Sequence, residues 1–130
     1  MPPKNSEAVA ESTLDEAPAD VWNAGCPSRR VLALVANKWA LLVIPLLRGK
    51  PRRNNELLRQ VGGISQKMLT QTLRDLELNG LVLREDRQTV PPHVEYRLSP
   101  LGLSLSRTLI AVDRWAEANH AQIDAARRHR

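Results

Sequence analysis

Residues 53–82 read RNNELLRQVGGISQKMLTQTLRDLELNGLV, and this stretch decides the fold. Leu57, Leu58 and Val61 fall on one side of a short helix predicted over about 53–61. Gly62-Gly63 ends that helix and supplies a tight turn. Ser65 then offers a hydroxyl to the free N–H groups of a second helix, predicted over about 66–79. Leu69, Leu73 and Leu76 recur at i, i+4 and i+7, so one face of that helix is predicted to be buried. Asn79-Gly80 ends it with residues that tolerate left-handed geometry. Two helices joined by a glycine turn make a helix-turn-helix.

Downstream, residues 81–87 (LVLREDR) and 93–98 (HVEYRL) read as strands, with Gln88 to Pro92 as a hairpin tip. Val94, Tyr96 and Leu98 alternate onto one face. Ser99-Pro100 opens a long last helix, expected to run to about 122, and the basic residues after it are expected to fray. Upstream, two helices are predicted over 28–36 and 37–48. In the second, Trp39, Leu42, Val43 and Leu46 are placed inward, and Pro45 should kink the helix or end it early. The predicted fold is mainly α with a small β-hairpin: a winged helix-turn-helix with N- and C-terminal dimerisation helices. Its organisation is an acidic flexible arm over 1–22, the folded domain over 23–122 and a basic tail over 123–130.

Composition narrows the function. Residues 1–25 hold one Lys and five acids, a net of −4, whereas residues 26–130 hold 18 Lys/Arg and 9 acids, a net of +9. A basic folded part points to a polyanionic partner, although charge alone does not specify nucleic acid. No apolar run reaches the ~18 residues of a membrane span, and the start lacks the order of a signal peptide. Cys26, the single cysteine, cannot form an internal disulfide, so the expected location is the cytoplasm, on the nucleoid if DNA is bound. His93, His120 and His129 are scattered without metal-ligand spacing. No nucleophile motif or phosphate loop is present. Neither a metal, a cofactor, a membrane partner nor an enzymatic activity is therefore expected.

A helix that enters a major groove needs an apolar face for anchorage and a polar face for bases and phosphates. The second helix of the pair carries Gln66, Lys67, Thr70, Gln71 and Arg74 opposite its leucines. Such a face is ordinarily only solvated; the helix-turn-helix context is what makes it a candidate for base readout in double-stranded DNA. Ser65, Arg52, Arg53 and Asn54 stand where phosphates would be met, and the hairpin adds Arg84, Arg87 and His93. Arg97 points outward, toward Glu85 or Glu95, and ranks lower.

The last helix has more apolar residues than packing on one small domain requires. Leu101, Leu105, Leu109, Val112 and Trp115 form a sustained stripe, with Leu103 and Ile110 on a second edge. The surplus predicts a homodimer held by the last and first helices, reading an operator with a two-fold repeat.

Three blocks carry a resemblance to the HxlR-type, MarR-like winged-helix transcriptional regulators: CPSRRVLALVANKW from Cys26, GKPRRNNELLRQVGGISQKMLTQTLRDLELNGLV from Gly49, and VPPHVEYRLSPLG from Val90. It spans about 26–118. It implies a dimeric repressor or activator that dimerises through its terminal helices. Three positions depart from the pattern. Asn54 stands where an aromatic is usual, Thr72 replaces a commoner Arg and is expected to lower the charge of the reading helix, and Leu101 replaces a charged residue. The resemblance also implies a sensing role for the N-terminal Cys-Pro, here Cys26. The physical argument for that role is the position of Cys26 just before a helix, with Arg29 and Arg30 close in sequence. The competing reading is an inert thiol packed under the helix.

Two other functions fit the pattern less well. A winged helix used for protein docking should expose apolar residues where Lys67, Gln71, Arg74, Arg84 and Arg87 stand. A regulator without a cysteine switch would sense a small-molecule effector, with Trp39 and Trp115 as pocket candidates. Trp22 either packs across a dimer or stays exposed. Salt-sensitive binding to duplex DNA separates the regulator from the docking module.

Overall fold

The computed structural model describes residues 20–129. The chain divides into two units, one ending at Ala36 and one beginning at Asn37. In the first, a 3-10 turn over Asp20–Trp22 precedes helix α1, Pro27–Val35. Pro27 opens α1, where a missing N–H leaves no helical bond unmade. No side chain of α1 is buried, and Val31 and Leu32 are exposed. Trp22 is 81% exposed in the single chain. Of the arm expected over 1–22, residues 1–19 lie outside the described residues.

The second unit contains α2 (Lys38–Gly49), α3 (Asn54–Gln60), α4 (Gln66–Leu78), β1 (Val82–Asp86), β2 (Val94–Leu98) and α5 (Pro100–Arg128). This is the predicted order, mainly α with one antiparallel hairpin. Its core joins Val43, Ile44 and Leu47 of α2, Leu57 of α3, Leu69, Leu73 and Leu76 of α4, Val82 of β1 and Leu109 of α5. Burying each large aliphatic side chain contributes roughly 1.5–3 kcal/mol.

Three expectations change here. First, α2 buries Ala40, Val43, Ile44 and Leu47, while Leu42 is exposed and Trp39 and Leu46 are half-buried. This helix is apolar nearly all round, so periodicity alone does not select a stripe. Second, of the two effects expected of Pro45, a kink or an early end, the early end does not occur, since α2 continues to Gly49. Third, α5 continues past residue 122 to Arg128. Its last turns, AEANHAQIDAARR from Ala116, are rich in alanine, and Arg127 and Arg128 complement the negative end of the helix dipole. Among the described residues no single helix is long and apolar enough to cross a membrane.

The helix-turn-helix is fastened at both ends. At its entry, Arg52 forms an isolated antiparallel bridge with Tyr96: the Arg52 N–H donates to the Tyr96 carbonyl at 2.9 Å and the Tyr96 N–H to the Arg52 carbonyl at 2.8 Å. At its exit, Gly80 turns with φ +76° into β1. There the buried Ser99 hydroxyl donates to the Gly80 carbonyl at 2.6 Å and accepts from the Gly102 N–H at 3.0 Å. The Ser99 N–H also donates to the Leu81 carbonyl, at 3.0 Å. Gly102 lies so close to β1 that a Cβ there would overlap the Leu81 carbonyl oxygen.

Candidate nucleic-acid interface

The turn between α3 and α4 is anchored by Val61 and Ile64, both buried, on either side of Gly62-Gly63. Gly63 has φ +86°, a conformation that an L side chain rarely adopts. Ser65 caps α4 by accepting from the Met68 N–H at 3.0 Å, and its own proton stays free to donate.

From that cap, α4 buries Leu69, Thr72, Leu73 and Leu76. Gln66, Lys67, Thr70, Gln71 and Arg74 are all exposed, with Lys67, Gln71 and Arg74 opposite that stripe and Gln66 and Thr70 on its flank. The Gln66 amide donates to the Thr70 hydroxyl at 3.0 Å, and the Gln71 amide donates to the Asp75 carboxylate at 2.9 Å. Lys67 and Arg74 have no ion-pair partner among the described residues. The expected polar row is therefore contiguous, with two uncommitted cations and two amides held in weak local bonds.

Thr72 does not belong to this row. At 5% exposure it lies in the core stripe, and its hydroxyl has no hydrogen-bond partner. The Thr in place of Arg therefore does not lower the charge of the outer face. The spacing shows why: residue 72 follows Leu69 by three and precedes Leu76 by four, which places all three on one side.

The basic residues before α3 separate into distinct roles. Arg52 is half-buried, and its Nε donates to the Leu46 carbonyl at 2.9 Å, so this guanidinium ties the C-terminal part of α2 to the start of α3. The same residue bridges to Tyr96, a structural use that its DNA-contact reading did not foresee. Arg53 is exposed and reaches the wing, donating to the Pro92 carbonyl at 3.3 Å. Its N–H donates to the Glu56 carboxylate at 2.9 Å, and this bond is the main cause holding the Glu56 carboxyl below its usual range. Asn54 is half-buried beside Arg53, Pro92 and Val94.

The wing pairs Leu83 with Arg97, Arg84 with Tyr96 and Glu85 with Glu95. Arg84 therefore shares a face with Tyr96 and Leu98, whereas Arg87 and His93 lie on the other, since an offset of three residues reverses the side. Like charges at Glu85 and Glu95 would repel across the ribbon. Each is compensated: Arg97 Nε pairs with Glu85 at 3.0 Å, and Glu95 holds both Arg87 at 2.9 Å and His93 at 3.0 Å. The His93 hydrogen bond, followed by the Arg87 contacts, keeps the Glu95 carboxyl below its ordinary value. Sequence reasoning named Arg87 and His93 as contacts and offered Glu95 or Glu85 to Arg97; the structure gives Glu85 to Arg97 and Glu95 to both Arg87 and His93. Replacing Glu95 by Gln is expected to strengthen binding to any duplex and to steepen log Kd against log salt by about one phosphate contact, near 0.9 in slope. An unchanged slope in titrations from low to moderate salt would show that the released Arg87 does not meet DNA.

Residues 34–124 match the HxlR-like helix-turn-helix family. The chain is 43% identical over 105 residues to the uncharacterized HTH-type transcriptional regulator YtfH of Escherichia coli (strain K12), covering 81% of this chain and 83% of that protein. The solved structure of ytfH from Salmonella typhimurium is similar at TM-score 0.76 and 42% identity, over 84% of this chain and 96% of that one. The redox regulator HypR in its oxidized form is similar at TM-score 0.68 and 36% identity, over 72% and 97%. Identity at this level across most of both chains goes well beyond a shared fold, and the chain belongs to the HxlR-like family of winged helix-turn-helix, DNA-binding transcriptional regulators, not to an enzyme family.

Proposed function

We propose that the chain acts in the cytoplasm as a homodimer that binds double-stranded DNA sequence-specifically, at an operator with a two-fold repeat. The observation that carries this reading is the exposed row of Gln66, Lys67, Thr70, Gln71 and Arg74 opposite and flanking the buried stripe of α4. In the proposed complex Lys67, Gln71 and Arg74 meet base edges, and Ser65, Thr70, Arg53 and Asn54 meet phosphates or, for Thr70, a thymine methyl. Arg84, Arg87 and His93 steer the wing along the backbone.

What supports a dimer is the apolar surface left over on α5. Leu101 is 59% exposed, Val112 46% and Trp115 60%, along a helix about 43 Å long. Leu105 is half-buried, and Leu109, at 3% exposure, packs into its own domain with Gly102 and Ser106. The proposed interface is therefore Leu101, Val112 and Trp115, bordered by Leu105 and extended by Ile123, with Leu109 removed from it. The exposed Val31 and Leu32 of α1 offer a second apolar surface.

Cys26 is proposed as the sensing residue. It is half-buried immediately before α1, and its N–H donates to the Asn23 carbonyl at 2.9 Å. Arg29 extends toward the Trp22 carbonyl, at 3.5 Å. The redox regulator HypR among the similar structures favours this reading. Oxidation would join two Cys26 thiols of two chains, or one with a small thiol, passing two electrons and two protons to the oxidant.

Footprinting on the protein's own genomic DNA, with light-scattering mass, tests the whole reading. The expected outcome is a dimer protecting two half-sites centred ~34–36 Å apart or a multiple of that. A monomeric mass at micromolar concentration, or sites without a two-fold repeat, would refute it. Diamide or a quinone is expected to change operator affinity for the wild type and not for Cys26→Ser. An equal response of both proteins, or of neither, removes Cys26 from the mechanism.

A further inference from the structure

A cleft of about 380 Å³ lies directly under the turn of the helix-turn-helix. Its floor is Leu42, Pro45 and Leu46 of α2; one wall is Gln60 to Gly62, and the other is Asp113 of α5. The size and mostly apolar lining suit a small ligand. Neither Trp39 nor Trp115, the pocket candidates of the alternative reading, lines it.

The one charged side chain lining the cleft is Asp113, and the Gln60 amide is its other polar side chain. Asp113 is half-buried, and no Lys, Arg or His pairs with it among the described residues. Burial, and then the like charge of Glu117 one helical turn on, push the Asp113 carboxyl above its usual value. An anionic ligand would meet repulsion here, and a neutral one would leave the carboxylate uncompensated.

We propose that this cleft is the effector site, and that it takes a small amphipathic cation whose ammonium pairs with Asp113 while its apolar body lies on Leu42, Pro45, Leu46 and Val61. Such a ligand bridges α5 and the segment that turns into α4, so it bears on the placement of the reading helix. Its regulatory meaning rests on the DNA-binding reading above; the binding itself does not.

The test is therefore done without DNA. Full-length 15N-labelled protein is titrated with 4-phenylbutylamine, 4-phenylbutanol and 4-phenylbutyrate, which share one skeleton and differ in charge. The amine is expected to bind at least tenfold more tightly than the alcohol, the carboxylate weakest, with shifts centred on the Val61 and Gly62 amides and the Gln60 side chain. Asp113→Asn is expected to abolish the preference for the amine while leaving alcohol binding unchanged, which also reports that the cleft is still folded. Equal binding of all three, shifts centred elsewhere, or an amine preference that survives Asp113→Asn each overturn the proposal. So does absence of binding to the wild type, the result expected if a side chain of a second copy fills the cleft. Loss of effector binding with operator binding intact would leave the DNA-binding function standing.

Discussion

Replacing Lys67, Gln71 and Arg74 together by Ala is expected to weaken operator binding at least about 100-fold while leaving the fold intact. A well-formed bidentate contact discriminates against a wrong base by about 1–3 kcal/mol, and three positions are removed at once. All three side chains are exposed, so unfolding free energy should move by no more than about 0.5 kcal/mol each. The residual binding should resemble that to unrelated duplex, because Arg53 and the wing cations remain. Competition between operator and random duplex separates the outcomes. A folded triple variant that still prefers the operator would move recognition away from α4.

Gly102→Ala should be the most damaging single methyl in the protein. On an open helix surface the same change gains about 1 kcal/mol from helix propensity. Here the new Cβ would overlap the backbone carbonyl oxygen of Leu81, with the Leu98 side chain close behind. A carbonyl cannot rotate aside as a side chain can, and this one also accepts from the Ser99 N–H. Relief requires moving the start of α5 off β1, at a cost of about 3 kcal/mol or more, which lowers Tm on the order of 10 °C. Ser104→Ala, on an exposed part of the same helix, serves as the comparison and should not lower Tm. A Gly102→Ala protein as stable as wild type would mean that α5 packs less closely than described.

The order and type of the elements were legible because each segment carried one dominant period or punctuation. Leu69, Leu73 and Leu76 allow only one buried side for α4, and Gly62-Gly63, Asn79-Gly80 and Ser99-Pro100 mark their boundaries by backbone chemistry. The inward face of α2 was not legible, because KWALLVIPLL offers several apolar stripes and only the neighbouring elements choose among them. Leu109 was misassigned for a related reason. It is about 80° round the helix from Leu101, on the side of the buried Gly102 and Ser106. In the candidate interface the polar row of α4 could be read directly, since anything opposite a core stripe faces outward. Which side chains are already occupied could not: the grip of Glu95 on Arg87 and His93, and the turning of Arg52 toward Leu46, depend on distances set by tertiary packing. The cleft at Asp113 left one trace, an acid in line with the buried positions of α5.

The Arg52–Tyr96 bridge makes the entry to α3 a one-residue third strand of the hairpin. The ribbon is thus tied by backbone hydrogen bonds to the entry of the helix-turn-helix, so in the proposed complex the wing's place beside that motif is set by the fold. In the proposed complex, base preference and reach become separable traits. Substitutions on α4 retune which bases are favoured, and lengthening or shortening the tip between Arg87 and His93 changes how much flanking backbone is spanned without shifting the phase of the half-site. In that complex a change of base preference on α4 leaves the geometry of the half-site unaltered.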